Sequence, residues 1–303
     1  DMFGPIPYKE AGKGLITVPY DSQEDVYKAM FEELTAAIDV LTRYADNGTT
    51  LLLPKADAVY GGDVHKWVVY ANSLMLRLAM RVYYADQDLS KKYAMQAINH
   101  PYGVMRAKAD EAKMDRGAGL VFQNNLDVLI NQYNECRMGS SMLAYLGGYQ
   151  DPRLEKYFTT STLPQAVSVD AMGNYLAVPT GHDVSSNNTF KGASRPAITT
   201  ATPTYWMRAS EVYFLLAEAA LHGFPVGQTA EDLYKKGIET SFEENGIPSS
   251  EVDTYISSGL TPLTYSLHMS NPNVNVDAPA VTNATTEWTG TDEEKLEKIM
   301  IQK

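Results

Sequence analysis

The residues of this chain that are best suited to bind a ligand are aromatic side chains in polar loops. Trp288 lies in the stretch NATTEWTG, Tyr175 follows Asn174, and Tyr265 and His182 stand in similarly polar surroundings. An aromatic ring can stack on the C–H face of a sugar, while amide and hydroxyl neighbours bond to the sugar hydroxyls. These five residues are therefore candidates for a carbohydrate site, although each ring could instead pack its own loop onto the body of the protein.

A metal site is not predicted. Four oxygen-bearing side chains alternate along one loop, as they do in calcium-binding loops: Asn271, Asn273, Asn275 and Asp277. However, Val276 occupies the turn position that requires glycine, and Thr282 occupies the position that requires a bidentate glutamate. The pattern favours a loop whose side chains bond to their own backbone.

Catalytic motifs are also missing from the sequence. It contains neither G-x-S-x-G nor H-E-x-x-H, and its histidines, at positions 65, 100, 182, 222 and 268, show no ligand spacing. We therefore predict no catalytic residue, no cofactor and no enzymatic activity. A glycoside hydrolase needs two opposed carboxylates about 5 to 9.5 Å apart, and the sequence leaves that alternative open.

Composition limits the classes of partner. The chain has 303 residues, of which 44% are hydrophobic, and its net charge is −12. This is enough apolar material for a full core, while the acidity and the lack of a basic cluster argue against nucleic acid. The most apolar window, Tyr205 to His222, contains three charged residues, so no transmembrane helix is predicted. The single cysteine, Cys136, allows no internal disulfide.

The element around which the chain is organised is a long apolar helix within Tyr60 to Tyr84. Asp63 is placed to cap its first turn, and aromatic and aliphatic residues recur at steps of three or four. Because the apolar surface extends beyond one face, the helix should have neighbours on several sides. We expect Trp67, Leu74 and Leu78 to be nearly solvent-free, and more than half of the ordered structure to be helical.

Further helices are predicted on both sides of the loops that carry the candidate residues. They span Ser22 to about Tyr44, Ser90 to Asn99, Ser140 to Leu146, Ala209 to Leu221, Thr229 to Asn245, and Thr291 to the last residues. Ser22, Thr229 and Thr291 each precede an acidic residue by three positions, which is typical of a capping box. Long aperiodic stretches at 159–204 and 257–290 interrupt this pattern, and loops of such length tend to be functional. Trp206 lies beside an apolar helix, and we expect it to be structural.

Six stretches of the chain together resemble one known family. They are PYDSQEDVYKAMFEELTAAIDVL, DAVYGGDVHKWVVYANSLMLRLAMRV, LGGYQDPRLEKYF, RASEVYFLLAEAALHG, TAEDLYKKGIETSFEENG and DEEKLEKIMIQK, and they run from Tyr20 to Lys303. The chain resembles the SusD/RagB family, the SusD-like nutrient-binding lipoproteins of the Bacteroidetes outer membrane.

The resemblance implies a mainly α-helical fold of tetratricopeptide-like helix pairs that supports a ligand face of long loops. It implies capture of an oligosaccharide or polysaccharide at the cell surface, with a TonB-dependent SusC-like transporter as partner and no enzymatic activity. Attachment to the outer membrane would be through a lipid anchor, whose cysteine is absent from this chain. The family's matching motifs are scaffold helices, so no binding residue is carried over by position.

We expect a single domain over residues 1–303, with the helical scaffold at about 20–110 and 205–303 and a loop-rich region at about 111–204. We also expect the chain to be trimmed at both ends. A peptide-binding scaffold remains the main alternative, because arrays of helix pairs present concave grooves to extended peptides. Long aromatic-bearing loops favour a glycan, whereas a concave face lined by helix residues would favour a peptide. The sequence does not identify the glycan.

Overall fold

The computed structural model describes residues 4–115, 122–163, 174–181, 188–269 and 272–303. Its α-helices are α1 (Gln23–Asp46), α2 (Val64–Arg81), α3 (Gln87–Ile98), α4 (Ser140–Gly148), α5 (Leu154–Tyr157), α6 (Ala209–Leu221), α7 (Ala230–Glu244), α8 (Val252–Ile256) and α9 (Asp292–Gln302). Strands β1 (Ala112–Met114) and β2 (Thr204–Met207) form one two-stranded sheet, and β3 (Tyr265–Leu267) and β4 (Val276–Ala278) form another. The fold is mainly α, as predicted, although 46% of the described residues are helical rather than more than half.

Side-chain caps define where four of the long helices begin. Ser22, Asp63, Thr229 and Thr291 each accept a hydrogen bond from the backbone N–H three residues later. Glu294 completes the box by accepting from Thr291 N. Such bonds satisfy donors that the helix itself leaves unpaired. The predicted starts of α1, α2, α7 and α9 are therefore confirmed.

Helices α2 and α6 lie at the centre of the array. α2 packs against α1, α3 and α6, while α6 also packs against α7 and α9. These contacts pair α1 with α2 and α6 with α7. Asn72 and Ser73 are buried on α2, where Asn72 donates to Gly103 O and Ser73 Oγ accepts from Met105 N. These bonds attach the chain after α3 to α2.

The expected burial of α2 is confirmed for Leu78 and wrong for Trp67 and Leu74. Leu78 is 6% exposed, whereas Trp67 and Leu74 are half-buried at the edge of the main core. Trp67 lies there because its indole N–H donates to Asp57 Oδ2 at 2.7 Å. Its ring meets Tyr60 and Tyr70 edge-on. The polar edge of an indole needs a partner, which holds this ring near the surface.

A second apolar core lies under the loop-rich region. Its buried members come mainly from α4, from the segments around residues 176–177 and 190–193, and from β3, and they include Leu143, Leu176, Phe190 and Leu267. The backbone here is held mainly by isolated bonds, such as Met138 N to Ser194 O at 2.8 Å. The loop-rich region is thus anchored by its own small core.

The sheet β1–β2 joins two parts of the chain that are far apart in sequence. Ala112 lies opposite Met207 and Met114 lies opposite Thr204, with a register shift between Ala112 and Lys113. The loop-rich region therefore leaves the helical array and returns to it at one place.

Candidate functional site

A groove on the loop side contains the candidate residue Tyr175. This groove, called the loop groove below, has a volume of about 350 Å³. It lies between the Tyr175 segment, α5 and the turn after α7, and Glu155, Lys156 and Glu251 contribute charged side chains. All three are exposed, and Lys156 Nζ lies 2.6 Å from Glu155 Oε1. The groove therefore offers an aromatic ring together with hydrogen-bonding groups that can reach a ligand.

Tyr175 is fixed by the segment that carries it. The ring is half-buried against the second core, and the next residue, Leu176, exchanges two bonds with Ser194. Leu176 N donates to Ser194 Oγ at 3.1 Å, and Ser194 N donates to Leu176 O at 2.9 Å. Burial, reinforced by the charge of Glu155, raises the pKa of the Tyr175 hydroxyl. The phenol is therefore neutral at physiological pH and can donate a hydrogen bond.

Asn174 lies beside the groove on the same segment. Its side chain is exposed, and its carbonyl oxygen accepts from Ser161 N at 2.7 Å. Of the candidates, Asn174 and Tyr175 are adjacent at one surface, as their sequence positions require. His182 lies outside the described residues.

Tyr265 does not offer a surface to a ligand. Its side chain is 2% exposed, and its hydroxyl donates to Ala177 O at 2.6 Å. The ring fills the second core beneath the Tyr175 segment. A signal in the sequence could have indicated this, because Tyr265 and Leu267 alternate with Ser266 as the buried residues of a strand do.

Trp288 is half-buried on the helical side of the molecule. Its ring centroid lies 5.0 Å from that of the buried Tyr234, whose hydroxyl donates to Thr286 O at 2.9 Å. Trp288 is not among the residues that line the loop groove, and its ring instead lies near Tyr234 on α7 and Lys295 on α9. Trp288 and the loop groove are separate places on the surface.

A larger cleft lies among the helices. It has a volume of about 440 Å³ and is called the helical cleft below. Its walls come from α4, β2, α6, α7 and α9, and aromatic side chains line much of it: Tyr145, Tyr149, Tyr157, Tyr205, Trp206, Phe214 and Tyr255. Trp206 is 41% exposed there, and its ring also contacts Trp67 and Tyr70, so its structural role stays a prediction. In β2 alternate residues face opposite sides, and this places Trp206 outward while Met207 is buried.

The floor of the helical cleft is a buried ion pair. Arg153 is 5% exposed and directs Nε and Nη2 to the two carboxylate oxygens of Asp151, at 2.9 and 2.5 Å. It also donates to Ser241 Oγ at 3.0 Å and to Gln302 Oε1 at 2.7 Å. The nearby Tyr255 hydroxyl donates to Asp151 Oδ2 at 2.8 Å. This network connects the start of α5 with α7, α8 and α9.

The loop with alternating Asn and Asp residues supports a hairpin. Asn275 Oδ1 accepts from Met269 N at 2.7 Å, and Asp277 Oδ1 lies 3.0 Å from His268 Nε2. Asn271 lies outside the described residues. In the described part of the chain, no group of three or more His, Cys, Asp or Glu side chains is arranged to hold a metal ion.

Comparison with protein families identifies the scaffold. The model described as "SusD-like: Susd and RagB outer membrane lipoprotein" matches residues 1–303. This chain belongs to the SusD-like family. None of the helices that the structure describes has both the length and the apolar character needed to cross a bilayer.

Solved structures of SusD homologues share the fold. A chitin-binding SusD homologue from Flavobacterium johnsoniae is 35% identical, with a TM-score of 0.89 over 99% of this chain and 60% of that one. A SusD-like protein from Bacteroides thetaiotaomicron is 29% identical, with a TM-score of 0.88 and coverage of 99% and 60%. A homologue from Bacteroides ovatus is 34% identical, with a TM-score of 0.86 and coverage of 99% and 61%. The chain thus spans about three fifths of the length of these relatives. A comparison with curated protein sequences gave no match.

Proposed function

We propose that this SusD-like chain binds an oligosaccharide at the outer surface of the outer membrane and delivers it to a TonB-dependent SusC-like transporter. The observation that carries this proposal is the family match over residues 1–303, together with 35% identity to a homologue described as chitin-binding. Chitin-type oligosaccharides of N-acetylglucosamine are therefore the first ligands to test. A lipid anchor would hold the whole protein at the membrane.

We place the sugar in the loop groove, with one ring stacked on Tyr175. The Leu176–Ser194 bonds hold the segment that carries the half-buried ring, and a residue on a fixed segment loses little freedom when it binds. Glu155 and Glu251 can accept from sugar hydroxyls, and Asn174 can both donate and accept. Trp288 remains a second proposed stacking residue, at a separate position on the surface.

Calorimetry with chitohexaose tests this site. A stacking contact contributes about 1 kcal/mol, by analogy with aromatic pairs, so Tyr175→Ala should weaken binding by about fivefold or more. Tyr133→Ala is the matched control, because Tyr133 is an exposed tyrosine outside both the loop groove and the helical cleft. Trp288→Ala tests the second position, and circular dichroism confirms that each variant is folded. Equal affinities of Tyr175→Ala and the control would remove Tyr175 from the site.

Binding should occur without hydrolysis. After incubation with a ligand that the protein demonstrably binds, mass spectrometry should find the oligosaccharide length unchanged. Shortened products that disappear in Glu155→Gln or Glu251→Gln would instead indicate a hydrolase, because these are the exposed carboxylates of the groove.

A peptide-binding function is the second candidate, and the helical cleft is the observation that favours it. Helix residues line the cleft, and Trp206 exposes an apolar ring in it. Extended peptides bind such concave helical surfaces. If glycans fail to bind, titration with a library of short peptides while following tryptophan fluorescence tests this function. Trp206→Phe should reduce the change in fluorescence that accompanies peptide binding.

A further inference from the structure

A buried carboxyl group without hydrogen bonds lies where β1 meets the helical array. Glu111 immediately precedes β1, and its side chain is 1% exposed. Neither of its carboxylate oxygens has a hydrogen-bond partner among the described residues. An ionised carboxylate in such a place is unfavourable, because burial removes its hydration and nothing replaces it.

The cations near Glu111 are shared with other groups. Arg208 Nε lies 3.9 Å from Glu111 Oε1, while Arg208 Nη1 lies 3.7 Å from Glu244 Oε2. Lys113 Nζ lies 3.9 Å from Glu111 Oε2 and 3.7 Å from Asp115 Oδ2. Each of these distances is longer than a hydrogen bond, so neither cation compensates fully for a charge on Glu111.

The remaining charged neighbours come from the elements packed around it. Lys108, on the 3₁₀ turn Lys108–Asp110, donates to Glu243 O at 2.9 Å and so connects this turn to the end of α7. Glu244, also on α7, accepts from Ser210 N at 2.8 Å and from Ser210 Oγ at 2.6 Å. Burial also raises the pKa of Glu244, but the Ser210 bonds and Arg208 oppose that rise. Glu111 has no such bonds, so it is the member of the pair that takes the proton first.

We propose that Glu111 is a proton-binding switch that couples solution pH to the attachment of the β1–β2 sheet to α7. When protonated, Glu111 is neutral, and Arg208 then pairs with Glu244 alone. When ionised, it competes for Arg208 and repels Glu244, which weakens the contact between the sheet and the helix. Arg208 also lies 3.8 Å from the centroid of Tyr205, and both residues line the helical cleft. The switch therefore acts on one wall of that cleft.

The direction in which pH changes the stability of the fold follows from the pKa of Glu111. Burial, with a smaller contribution from Glu244, raises the pKa of Glu111 from 4.5 to about 7 in the folded protein. The folded state thus binds this proton more tightly than the unfolded state does, so protonation stabilises the fold. The stabilisation is complete below the unfolded pKa and is lost as pH rises through about 7. The folding equilibrium constant should fall about seventyfold between about pH 5 and pH 8 from this group alone.

Urea denaturation of the wild-type protein, Glu111→Gln and Glu239→Gln at about pH 5 and pH 8 tests the proposal. Glutamine imitates the neutral acid, so the gain in stability of Glu111→Gln over the wild type should be small at pH 5 and large at pH 8. The ratio of the two folding constants should change at least tenfold, and up to about seventyfold, between these pH values. Glu239→Gln is the control, because Glu239 forms an exposed pair with Lys236 on the same helix. Its stability should follow the wild type at both pH values.

Carbon-13 NMR of glutamate carboxyl groups gives a second measurement, in which the titration itself is followed in the wild-type protein. One carboxyl resonance of the wild-type protein should titrate near pH 7, and it should be absent from Glu111→Gln. The proposal is overturned if every glutamate titrates below about pH 5.5. It is also overturned if Glu111→Gln and the wild type have parallel pH profiles.

Discussion

Replacement of Arg153 should be among the most destabilising single changes in this protein. Its guanidinium group makes two bonds to Asp151 and one each to Ser241, Tyr255 and Gln302, all within a site from which water is largely excluded. Arg153→Met keeps most of the side-chain volume but leaves Asp151 as a buried charge without its cation. Breaking a buried ion pair in this way costs about 3 to 5 kcal/mol.

For Arg153→Met we expect a loss of stability in the lower half of the range of about 3 to 5 kcal/mol. Asp151 retains two donors after the substitution, since Tyr255 OH and the backbone N–H of residue 153 still lie 2.8 and 2.9 Å from its oxygens. We therefore expect a loss of about 3 kcal/mol in the free energy of unfolding, measured by urea denaturation with an unchanged m-value.

Arg77→Met is the matched control, because it breaks a similar arginine–carboxylate pair that is partly exposed to solvent. Arg77 also makes two bonds to one carboxylate, both 2.6 Å long, but the side chains of Arg77 and Glu211 are 22% and 27% exposed. Partly solvated pairs contribute less, so this variant should lose about 1 kcal/mol. The double variant Asp151→Asn with Arg153→Met should recover part of the loss, because it removes the unpaired charge. The reasoning would be refuted if Arg153→Met lost no more stability than Arg77→Met, or if the second substitution recovered nothing.

Two further substitutions test the packing of the helical array. Gly237→Ala should destabilise the fold by about 1 to 3 kcal/mol, because the new Cβ would lie 2.5 Å from Cε1 of Phe214 at the contact of α6 with α7. Thermal unfolding measures this, with Lys236→Ala as the control, and equal melting temperatures would contradict it. Phe31→Ala should cost about 3 to 5 kcal/mol in urea denaturation, because the ring is 0% exposed and stacks on Tyr93 at a centroid distance of 4.1 Å. A loss of stability below about 1 kcal/mol would show that neighbouring side chains move into the cavity left by the ring.

Local chemistry explains which parts of the fold could be predicted from the sequence. The caps at Ser22, Asp63, Thr229 and Thr291 depend on residues three positions apart, and the structure contains all four of these bonds. The side of α2 that remains near solvent depends on distant residues, so the half-buried position of Trp67 was not evident. The pairing of β1 with β2 was not predicted either, since it joins segments separated by nearly the whole loop-rich region.

The candidate site was harder to predict from the sequence than the helices, because an aromatic ring in a polar loop can face either the solvent or the core. Tyr175 lies in a surface groove and Tyr265 lies in a core, although both have polar neighbours in the sequence. The strand pattern around Tyr265 distinguishes the two, and the same reasoning about β2 places Trp206 outward. Short strands in a mainly helical chain are easily overlooked when helical spacing is the principal signal.

The short sheet β1–β2 has a consequence for how such proteins can diversify. Since Ala112 and Met207 are partners, the segment between the two strands begins and ends at a fixed point on the scaffold. Lengthening a surface loop adds little to the entropic cost of bringing its ends together, roughly 0.6 kcal/mol for each doubling of the loop length. Insertions and replacements in the surface loops between the strands can therefore alter the proposed binding site without displacing α2 or α6. Grafting the corresponding surface loops of a relative between Met114 and Thr204, with Asp151 and Arg153 retained, should transfer ligand preference while the helical array continues to fold.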